Sequence, residues 1–319
     1  MFFLQSILFF ILVINTGFCV AETSVEKNND ALYYQENALI LDTAKAGSRI
    51  VAVGEQGLIL YSDDKAESWN ISASNVDILL TSVFFLNERS GWATGHQNTI
   101  LHTSDGGNSW TTQMTSPKGD PLFDILFIND SQGIAIGAYG LFLSTTNGGK
   151  NWNTKHLNEN DPHLYAVTSI QNKLFLIVGE SGTLLRSDNL TDWKTLTSPY
   201  QGTLFTLMSK NNLITAAGLR GNIIQSSDNG NSWHKLPSTT ISPLQNGTTL
   251  SNNKIIIGGP GGSLIISDKT GRSFNRILFP INQSITNIIQ ISPTDLLISG
   301  NFGLRKSPIN ITLLTATND

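Results

Sequence analysis

The sequence contains a single cysteine and little charge, and both shortages exclude whole classes of function. Cys19 alone cannot form an intramolecular disulfide, a Cys-x-x-Cys redox pair or a zinc site built on cysteine thiolates. Charged residues make up 14% of the 319 residues, and 20 Lys and Arg against 24 Asp and Glu give a net charge of −4. That balance argues against nucleic-acid binding through clustered basic residues. The hydrophobic content of 39% still suffices for a core, and 28 glycines favour short strands joined by tight turns.

The amino-terminal segment has the pattern of an export signal. Residues 2–14 are almost wholly apolar, but the run is shorter than the roughly 20 apolar residues that a membrane span needs. The small residues Cys19 and Ala21 lie at the −3 and −1 positions of a cleavage site, although no Lys or Arg precedes the apolar run. We therefore predict a signal peptide over residues 1–21.

The rest of the chain divides into a polar lead-in over residues 22–37 and one domain over residues 38–319. A cleaved signal predicts an exported protein, located in the periplasm or, in a photosynthetic organism, in the thylakoid lumen. An uncleaved anchor and a lipoprotein acylated at Cys19 are the alternatives, and the bulky Phe18 disfavours the second of them.

One unit recurs seven times along the predicted domain. A Gly-x-x-Gly turn follows a short apolar strand in each copy, with Asn98 replacing the second glycine in the second copy, and successive turns are 39 to 42 residues apart. A period near 41 matches one four-stranded blade, so the sequence predicts an all-β, seven-bladed β-propeller. To close the ring, either residues 311–315 complete the last blade or residues 31–35 add a strand to it. The first glycines of the turns are Gly54, Gly95, Gly137, Gly179, Gly218, Gly259 and Gly300.

A second signature lies between the third and fourth strands of each unit. It reads Thr-Ser-Asp-Gly-Gly-Asn-Ser-Trp over residues 103–110 and resembles the Asp-box, or BNR repeat. Its acidic residue can accept backbone N–H bonds across the turn, and its Trp can pack between units, so we assign the box a structural role. The sixth copy has Lys269 at the acidic position and Phe274 at the Trp position, and the seventh copy lacks the box. The assigned box residues are Asp64, Trp69, Asp105, Trp110, Asn147, Trp152, Trp193, Asp228 and Trp233.

The two signatures together resemble one family. Residues 91–95 (Gly-Trp-Ala-Thr-Gly), followed by Ile-Leu-His and the box over residues 100–110, are similar to the repeats of the photosystem II stability/assembly factors of cyanobacteria and chloroplasts, which have relatives in non-photosynthetic bacteria. The resemblance covers about residues 38–307. It implies a seven-bladed propeller that is not an enzyme and that binds assembly intermediates of a membrane-protein complex as a chaperone.

The Gly-x-x-Gly turns mark the face on which we expect a partner to bind. Consecutive hairpin turns of a blade lie on opposite faces, so these turns share a face with the blade-to-blade connections, including residues 116–120, 158–163 and 239–247. Such a rim is the usual place for a ligand, and the mixture of charged and aromatic turn residues suits a protein partner. Ordinary solvated turn residues are the alternative interpretation. The candidate partner-binding residues are Glu55, Gln56, His96, Gln97, Tyr139, Glu180, Arg220, Asn301 and Phe302.

Two other classes of function are alternatives. A sialidase-like glycosidase or glycan-binding lectin would need arginines and acids converging in the central funnel, such as Arg186, Arg220 and Arg272 beside Tyr139 or Glu180. A structural module of a larger envelope assembly is the second alternative. The five histidines lack metal-ligand spacing and no phosphate-binding loop occurs, so we predict no catalytic residues, no metal and no cofactor. The expected protein is a monomer that binds a protein and no nucleic acid.

Overall fold

Each repeat folds into one antiparallel sheet in the computed structural model, which describes residues 30–157, 160–210, 212–280 and 282–309. The predicted export signal therefore lies outside the described residues. Six sheets have four strands and the seventh has three within the described part of the chain. The innermost strands of the sheets touch one another in chain order, and that of blade 7 touches that of blade 1. The seven sheets thus close into a ring, which confirms the predicted seven-bladed propeller.

The strands follow one another in chain order from the inside of each blade to its outside. Blades 1 to 3 contain β1 (Ile40–Ala46), β2 (Arg49–Gly54), β3 (Ile59–Ser62), β4 (Asn70–Ile71); β5 (Leu80–Phe85), β6 (Gly91–Gly95), β7 (Thr99–Thr103), β8 (Thr111–Met114); and β9 (Leu122–Phe127), β10 (Gly133–Gly137), β11 (Leu141–Thr145), β12 (Asn153–His156). Blades 4 and 5 contain β13 (Leu164–Ile170), β14 (Leu174–Gly179), β15 (Leu184–Ser187), β16 (Lys194–Thr195); and β17 (Leu204–Lys210), β18 (Leu213–Gly218), β19 (Ile223–Ser226), β20 (His234–Leu236). Blades 6 and 7 contain β21 (Asn246–Thr249), β22 (Ile255–Gly258), β23 (Leu264–Ser267), β24 (Phe274–Arg276); and β25 (Ile285–Gln290), β26 (Asp295–Gly300), β27 (Gly303–Pro308).

The second strand of a blade is buried between its neighbours. All five residues of β6 and all five of β10 are buried, because both faces of each sheet pack against the adjoining blades. Trp92 of β6 stacks on Phe127 of β9 with ring centroids 3.5 Å apart, which joins blade 2 to blade 3. Sheets packed face to face in this way explain why the second strands read as continuous apolar runs.

A helix, α1 (30–37), precedes the first strand and was not predicted. Ala31, Tyr34 and Ala38 recur at helical spacing, and Tyr34 and Ala38 pack on the core between blades 7 and 1. The proposal that residues 31–35 add a strand to blade 7 was therefore wrong, and the alternative strand over residues 311–315 lies outside the described residues. Within the described ranges, no helix is long and apolar enough to cross a membrane.

The Asp-boxes form the predicted hydrogen-bonded turns. Asp64 Oδ1 accepts from Ser62 Oγ at 2.8 Å and from the Ser68 N–H at 2.9 Å, and its Oδ2 accepts from Ser68 Oγ at 2.6 Å. Asp105 and Asp228 repeat this pattern. Hydrogen bonds from the serine four residues later in the box hold the pKa of Asp64 and of Asp228 at about 2, so these carboxylates are ionised and are hydrogen-bonded within their own turns.

The other box positions have the structural role assigned to them, with one correction. Asn147 accepts from the Thr145 hydroxyl and from the Asn151 N–H at 3.0 Å. In the sixth copy the acidic role belongs to Asp268, which accepts from the Thr270 hydroxyl at 2.7 Å and from the Arg272 N–H at 3.2 Å. The repeat is thus intact there, because the carboxylate reaches the turn from one position earlier than Lys269. The box tryptophans lie at the blade interfaces and are buried or half-buried: Trp69, Trp110, Trp152, Trp193 and Trp233.

Carboxylates on the innermost strands link neighbouring blades. Asp42 Oδ2 of blade 1 accepts from the Val83 N–H of blade 2 at 2.8 Å, and Asp124 Oδ2 of blade 3 accepts from the Val167 N–H of blade 4 at 2.8 Å. Between them, Ser82 Oγ lies 3.0 Å from Asp42 Oδ2 and 3.1 Å from Asp124 Oδ1. A hydroxyl has one proton and can donate to only one of the two carboxyls. The second contact is therefore a hydrogen bond only if one of the carboxyls itself carries a proton.

Burial also favours the protonated form of these two carboxyls. Desolvation raises the pKa of Asp42 to about 7 and that of Asp124 to about 6, against a value of 3.8 for a free aspartate, and the charge of Asp124 adds to the effect on Asp42. The folded ring thus retains a proton near neutral pH that the unfolded chain has already released.

We expect the substitution Asp124→Asn to reduce, but not abolish, the pH dependence of stability between about pH 4.5 and pH 7.5, because burial still raises the pKa of Asp42. Because the folded state binds a proton that the unfolded chain loses near pH 4, the free energy of unfolding of the unsubstituted protein should fall as the pH rises through this window, by on the order of 2 kcal/mol. The box carboxylates, whose pKa is lowered, contribute stability that is lost only as the pH falls from about 4 towards 2. Urea unfolding at several pH values measures the difference.

The exposed Asp120 of the same blade provides the matched control for this experiment. The substitution Asp120→Asn removes the same charge without touching the ring, so its pH profile should follow that of the unsubstituted protein. Equal profiles for all three proteins would contradict the shared proton.

Glycines of the Gly-x-x-Gly turns differ in how closely other backbone atoms approach them, so their substitution by alanine should have different effects on stability. Gly221 and Gly261 both have left-handed backbone, with φ of 69° and 64°. A Cβ on Gly221 would lie 2.0 Å from the Thr240 carbonyl oxygen, whereas a Cβ on Gly261 would have no atom within 4 Å. We expect Gly261→Ala to cost about 1 kcal/mol in unfolding free energy and Gly221→Ala at least about 2 kcal/mol more. Similar costs in chemical unfolding would show that the close approach does not determine the turn.

Candidate protein-binding face

The Gly-x-x-Gly turns and the blade-to-blade connections lie on one face of the ring, which we call the Gly-x-x-Gly face. The pairing of Ile40 with Gly54 shows this, since the start of the innermost strand meets the end of the second strand. The Asp-boxes lie on the opposite face, the box face. Five of the turns share one three-residue conformation with a left-handed central residue: Glu55–Gly57, Ala138–Gly140, Glu180–Gly182, Leu219–Gly221 and Pro260–Gly262.

The second variable residue of these turns is presented to solvent. Gln56, Tyr139 and Arg220 have φ between 52° and 55°, which is left-handed backbone that side chains larger than glycine rarely adopt. All three are exposed, Tyr139 to 57%. In blade 2, His96 and Gln97 are exposed as well. The turn geometry therefore places these predicted residues where a partner could reach them.

The first variable residue of three turns instead supports the backbone. Glu55 accepts from the Leu39 N–H at 2.9 Å, Glu180 from the His163 N–H at 3.0 Å, and Asn301 from the Ser284 N–H at 3.1 Å. Each bond fixes the connection that enters the innermost strand. Glu55, Glu180 and Asn301 therefore already have an intramolecular role, whatever they contribute to binding.

Phe302 lies in the core and not on the rim. It is 3% exposed and packs against Phe279, with ring centroids 6.5 Å apart. In blade 7 the strands β26 and β27 continue up to Gly300 and Gly303, which pair directly, so the turn has only two residues and turns the ring of Phe302 inward. This placement does not suit a residue that contacts a partner.

Aromatic side chains of blades 3 to 5 gather at the mouth of the central channel on this face, and we call them the mouth cluster. Phe123 and Tyr165 are stacked at 5.3 Å, and Phe205 meets Tyr165 edge-on at 5.1 Å. Tyr139 meets His163 edge-on at 4.7 Å, and its N–H donates to His163 Nδ1 at 2.8 Å, so the ring proton of the neutral histidine lies on Nε2. The mouth cluster consists of Phe123, Tyr139, His163, Tyr165 and Phe205.

β-Bulges at the start of the innermost strands orient three rings of the mouth cluster. Phe123, Tyr165 and Phe205 are each the extra residue at which the register shifts against the second strand. A bulge releases one side chain from the normal alternation and re-aims it. The rings are consequently half-buried at the mouth and are not packed between blades.

A small cavity opens beneath the mouth cluster. It has a volume of about 190 Å³ and is lined by Phe123, Tyr165 and Phe205 as well as by Asp42 and Asp124 of the inner ring. Pockets for drug-sized ligands are larger, about 300 to 1,000 Å³. The cavity therefore has room for about one side chain of a partner. Burial raises the pKa of Tyr165 and the nearby Glu180 adds to this, so the Tyr165 phenol is neutral at physiological pH.

The arginines do not form the carboxylate clamp of a sialidase. Arg186 pairs with Asp188 of its own box at 2.9 Å, and Arg272 lies in the box of blade 6, so both belong to the box face. Arg220 lies on the Gly-x-x-Gly face. In the part of the chain that the structure describes, no three His, Cys, Asp or Glu side chains are grouped to hold a metal ion.

Only part of the mouth cluster was predicted from the sequence. Tyr139 was a predicted rim residue and His163 ends one of the connections assigned to this face. Phe123, Tyr165 and Phe205 were missed, although a signal existed: an aromatic residue stands second in three consecutive innermost strands. Tyr139 and the missed residues come together, whereas Gln56, His96, Gln97, Arg220 and Asn301 lie in turns of other blades.

Comparison with known proteins was made at the level of sequence and of structure. A family model described as "Photosynthesis system II assembly factor YCF48" matches residues 112–200, a range that contains four of the five residues of the mouth cluster. A search of curated proteins gave no match.

Solved structures match over most of the propeller. A structure of YCF48 bound to a D1 peptide is similar with a TM-score of 0.71 and 20% identity, covering 86% of this chain and 93% of that one. YCF48 from Cyanidioschyzon merolae gives 0.68 and 17%, covering 84% and 95%. The WD40 propeller domain of Doa1 gives 0.67 and 16%, covering 85% and 93%. The chain thus has the seven-bladed fold of these proteins, and over residues 112–200 it matches the photosystem II assembly-factor family that its repeats resemble.

Proposed function

We propose that this protein is an exported, non-enzymatic propeller that binds a protein partner on its Gly-x-x-Gly face and assists the assembly or stability of a membrane-protein complex. It would act as a monomer, in the periplasm or, in a photosynthetic organism, in the thylakoid lumen. The observation that carries the proposal is the mouth cluster, in which exposed and half-buried aromatic rings surround a cavity of side-chain size.

Aromatic residues at the centre of a concave surface are typical anchors of protein interfaces. The rings of Phe123 and Tyr165 are already ordered in the free protein, since each ring packs against a neighbour. A preorganised surface of this kind loses little conformational entropy when a partner binds. A short polar side chain of the partner would enter the cavity, whose lining includes Asp42, Ser82 and Asp124. Neighbouring apolar side chains of the partner would pack on the mouth cluster, while Tyr139 and Arg220 contact the flanking segment.

The comparisons support a protein partner. A solved structure shows YCF48, which has the same fold, bound to a D1 peptide, and the family model matches a range that contains four of the five residues of the mouth cluster. The WD40 propeller domain of Doa1 shares the fold of this chain. A protein-binding function agrees with the structure of YCF48 bound to a D1 peptide.

The mechanism would be temporary masking of an unassembled surface. A membrane-protein subunit exposes segments that its own complex later buries, and such apolar segments associate non-specifically while they are exposed. Binding at a shallow mouth, without a deep enclosing pocket, permits release once the proper partner subunit competes for the same segment.

We expect the double substitution Tyr139→Ala and Arg220→Ala to reduce recovery of the membrane partner about tenfold or more, as removal of an interface anchor does. Both side chains are exposed, so the fold should not change. The experiment is affinity capture of the partner from the native membrane fraction with the tagged full chain, followed by identification and quantification of the captured proteins.

The exposed Lys150 of the box face supplies the matched control, since Lys150→Ala changes a long polar side chain on the other face. Capture should be unchanged by this control. If the double variant captured as much partner as the unsubstituted protein, the assignment of the face would be wrong. If no protein were captured at all, a glycan array would test the lectin alternative.

A further inference from the structure

The box face has a groove between blades 5 and 6 that the proposed function does not use. Its volume is about 500 Å³, within the range of pockets that hold small ligands. It is formed by the first turn and the Asp-box of each of these two blades. The residues that line it are Lys210, Asn212, Leu213, Ser227, Asn253, Lys269, Thr270 and Arg272.

The groove concentrates positive charge in a protein of net negative charge. Lys210, Lys269 and Arg272 line it, and no carboxylate does. Among the described residues, none of these three cations lies within 4 Å of an acidic side chain. Lys210 Nζ donates one proton to the Leu250 carbonyl at 3.1 Å, which fixes the ammonium group and leaves two of its protons for another acceptor.

Three other box-face cations have acidic partners. Arg49 pairs with Asp63 at 2.7 Å, Arg186 pairs with Asp188, and Lys306 pairs with Glu67. Beside the groove, the box positions that correspond to Asp63 and Glu67 carry residues that are not acidic. Ser227 occupies in blade 5 the position that Asp63 has in blade 1, and Arg272 occupies in blade 6 the position of Glu67. With other residues at these two positions, none of the three groove cations forms an ion pair among the described residues.

The nearest box carboxylates are engaged elsewhere. Asp228 accepts from Ser226 and Ser232, and Asp268 accepts from the Thr270 hydroxyl and the backbone of its own turn. Both carboxylates keep their charge, so three cations face two acids that are directed into their turns. The local excess of charge is therefore positive.

The walls of the groove are held in place without a ligand. Gln225, which is fully buried, donates from Nε2 to the Gly271 carbonyl at 2.8 Å and so ties the box of blade 6 to blade 5. A Cβ on Gly271 would lie 2.7 Å from Leu213 Cδ2, so the two blades are in close contact there. The positions of Lys269 and Arg272 on the rim are thus fixed by the backbone that carries them.

We propose that this groove binds a phosphate-type oxyanion. A guanidinium and two ammonium groups around a cavity provide the charge-assisted hydrogen bonds that such an anion accepts, and the planar guanidinium can bind two of its oxygens at once. Ser227 and the Asn212 amide supply further donors at the wall. The anion would be either a free phosphate or the phosphate of an anionic phospholipid headgroup, which share this chemistry.

The test compares the full chain with the double variant Lys269→Ala, Arg272→Ala and with the control Lys150→Ala, Lys155→Ala. All four side chains are exposed, and both variants remove two positive charges from the chain. Inorganic phosphate is titrated calorimetrically at low ionic strength. In a second arm, the proteins are sedimented with phosphatidylcholine vesicles that contain or lack phosphatidylglycerol, and the shared amino-terminal segment cancels in the comparison.

We expect saturable binding that the groove variant weakens about tenfold or more and the control changes less than about twofold. Saturable phosphate binding identifies a site for a free anion, and sedimentation that depends on phosphatidylglycerol alone identifies a headgroup site. Absence of binding in both arms would overturn the proposal. Equal weakening by the control would overturn it too, because the attraction would then come from net charge and not from the groove.

Discussion

Hydrogen bonds from the innermost strands across the gaps between blades hold the ring in its closed form. Asp42 binds the backbone of blade 2 and Asp124 that of blade 4, and Ser82 joins both carboxyls. The ring closes by contact of β25 with β1, without a disulfide, so its geometry depends on such bonds and on packing. Phe123 and Tyr165 are the second residues of β9 and β13, two of the strands that these bonds connect. The position of the mouth cluster is therefore determined by the ring beneath it.

The number of blades could be predicted from the sequence because it follows from local turn geometry. The contacts between blades could not be predicted in this way. Glycine is selected at the second position by left-handed backbone and at the first by the close approach of a carbonyl oxygen, so the repeated glycines revealed seven units. Phe123 and Tyr165 are 42 residues apart and meet only because bulges in adjacent blades re-aim them. Phe302 was expected on the rim, because its repeat has the same Gly-x-x-Gly sequence as the others, but a shorter turn directs its ring inward. The helix over residues 30–37 was missed because its apolar face covers a blade junction that only the closed ring creates.

The two faces of the propeller differ in chemistry, which suits two kinds of contact. The Gly-x-x-Gly face presents aromatic rings with Tyr139 at their edge, and the box face presents cations in the groove beside Arg272. Both surfaces are built from turns whose backbone is fixed by buried glycines or by Asp-box hydrogen bonds. Turn side chains can therefore vary between blades without loss of the fold, and this freedom explains how regular repeats carry two local, unrepeated surfaces.

The central claim is that the partner meets the Gly-x-x-Gly face at the mouth cluster. Site-specific photo-crosslinking in intact cells tests it most directly, with a photoreactive phenylalanine at position 139 in one protein and at position 150 in another. Tyr139 lies on the Gly-x-x-Gly face and Lys150 in an Asp-box, and both side chains are exposed. The account predicts a discrete crosslinked partner from position 139 and none from position 150. Crosslinks from position 150 alone would contradict it and place the partner on the box face.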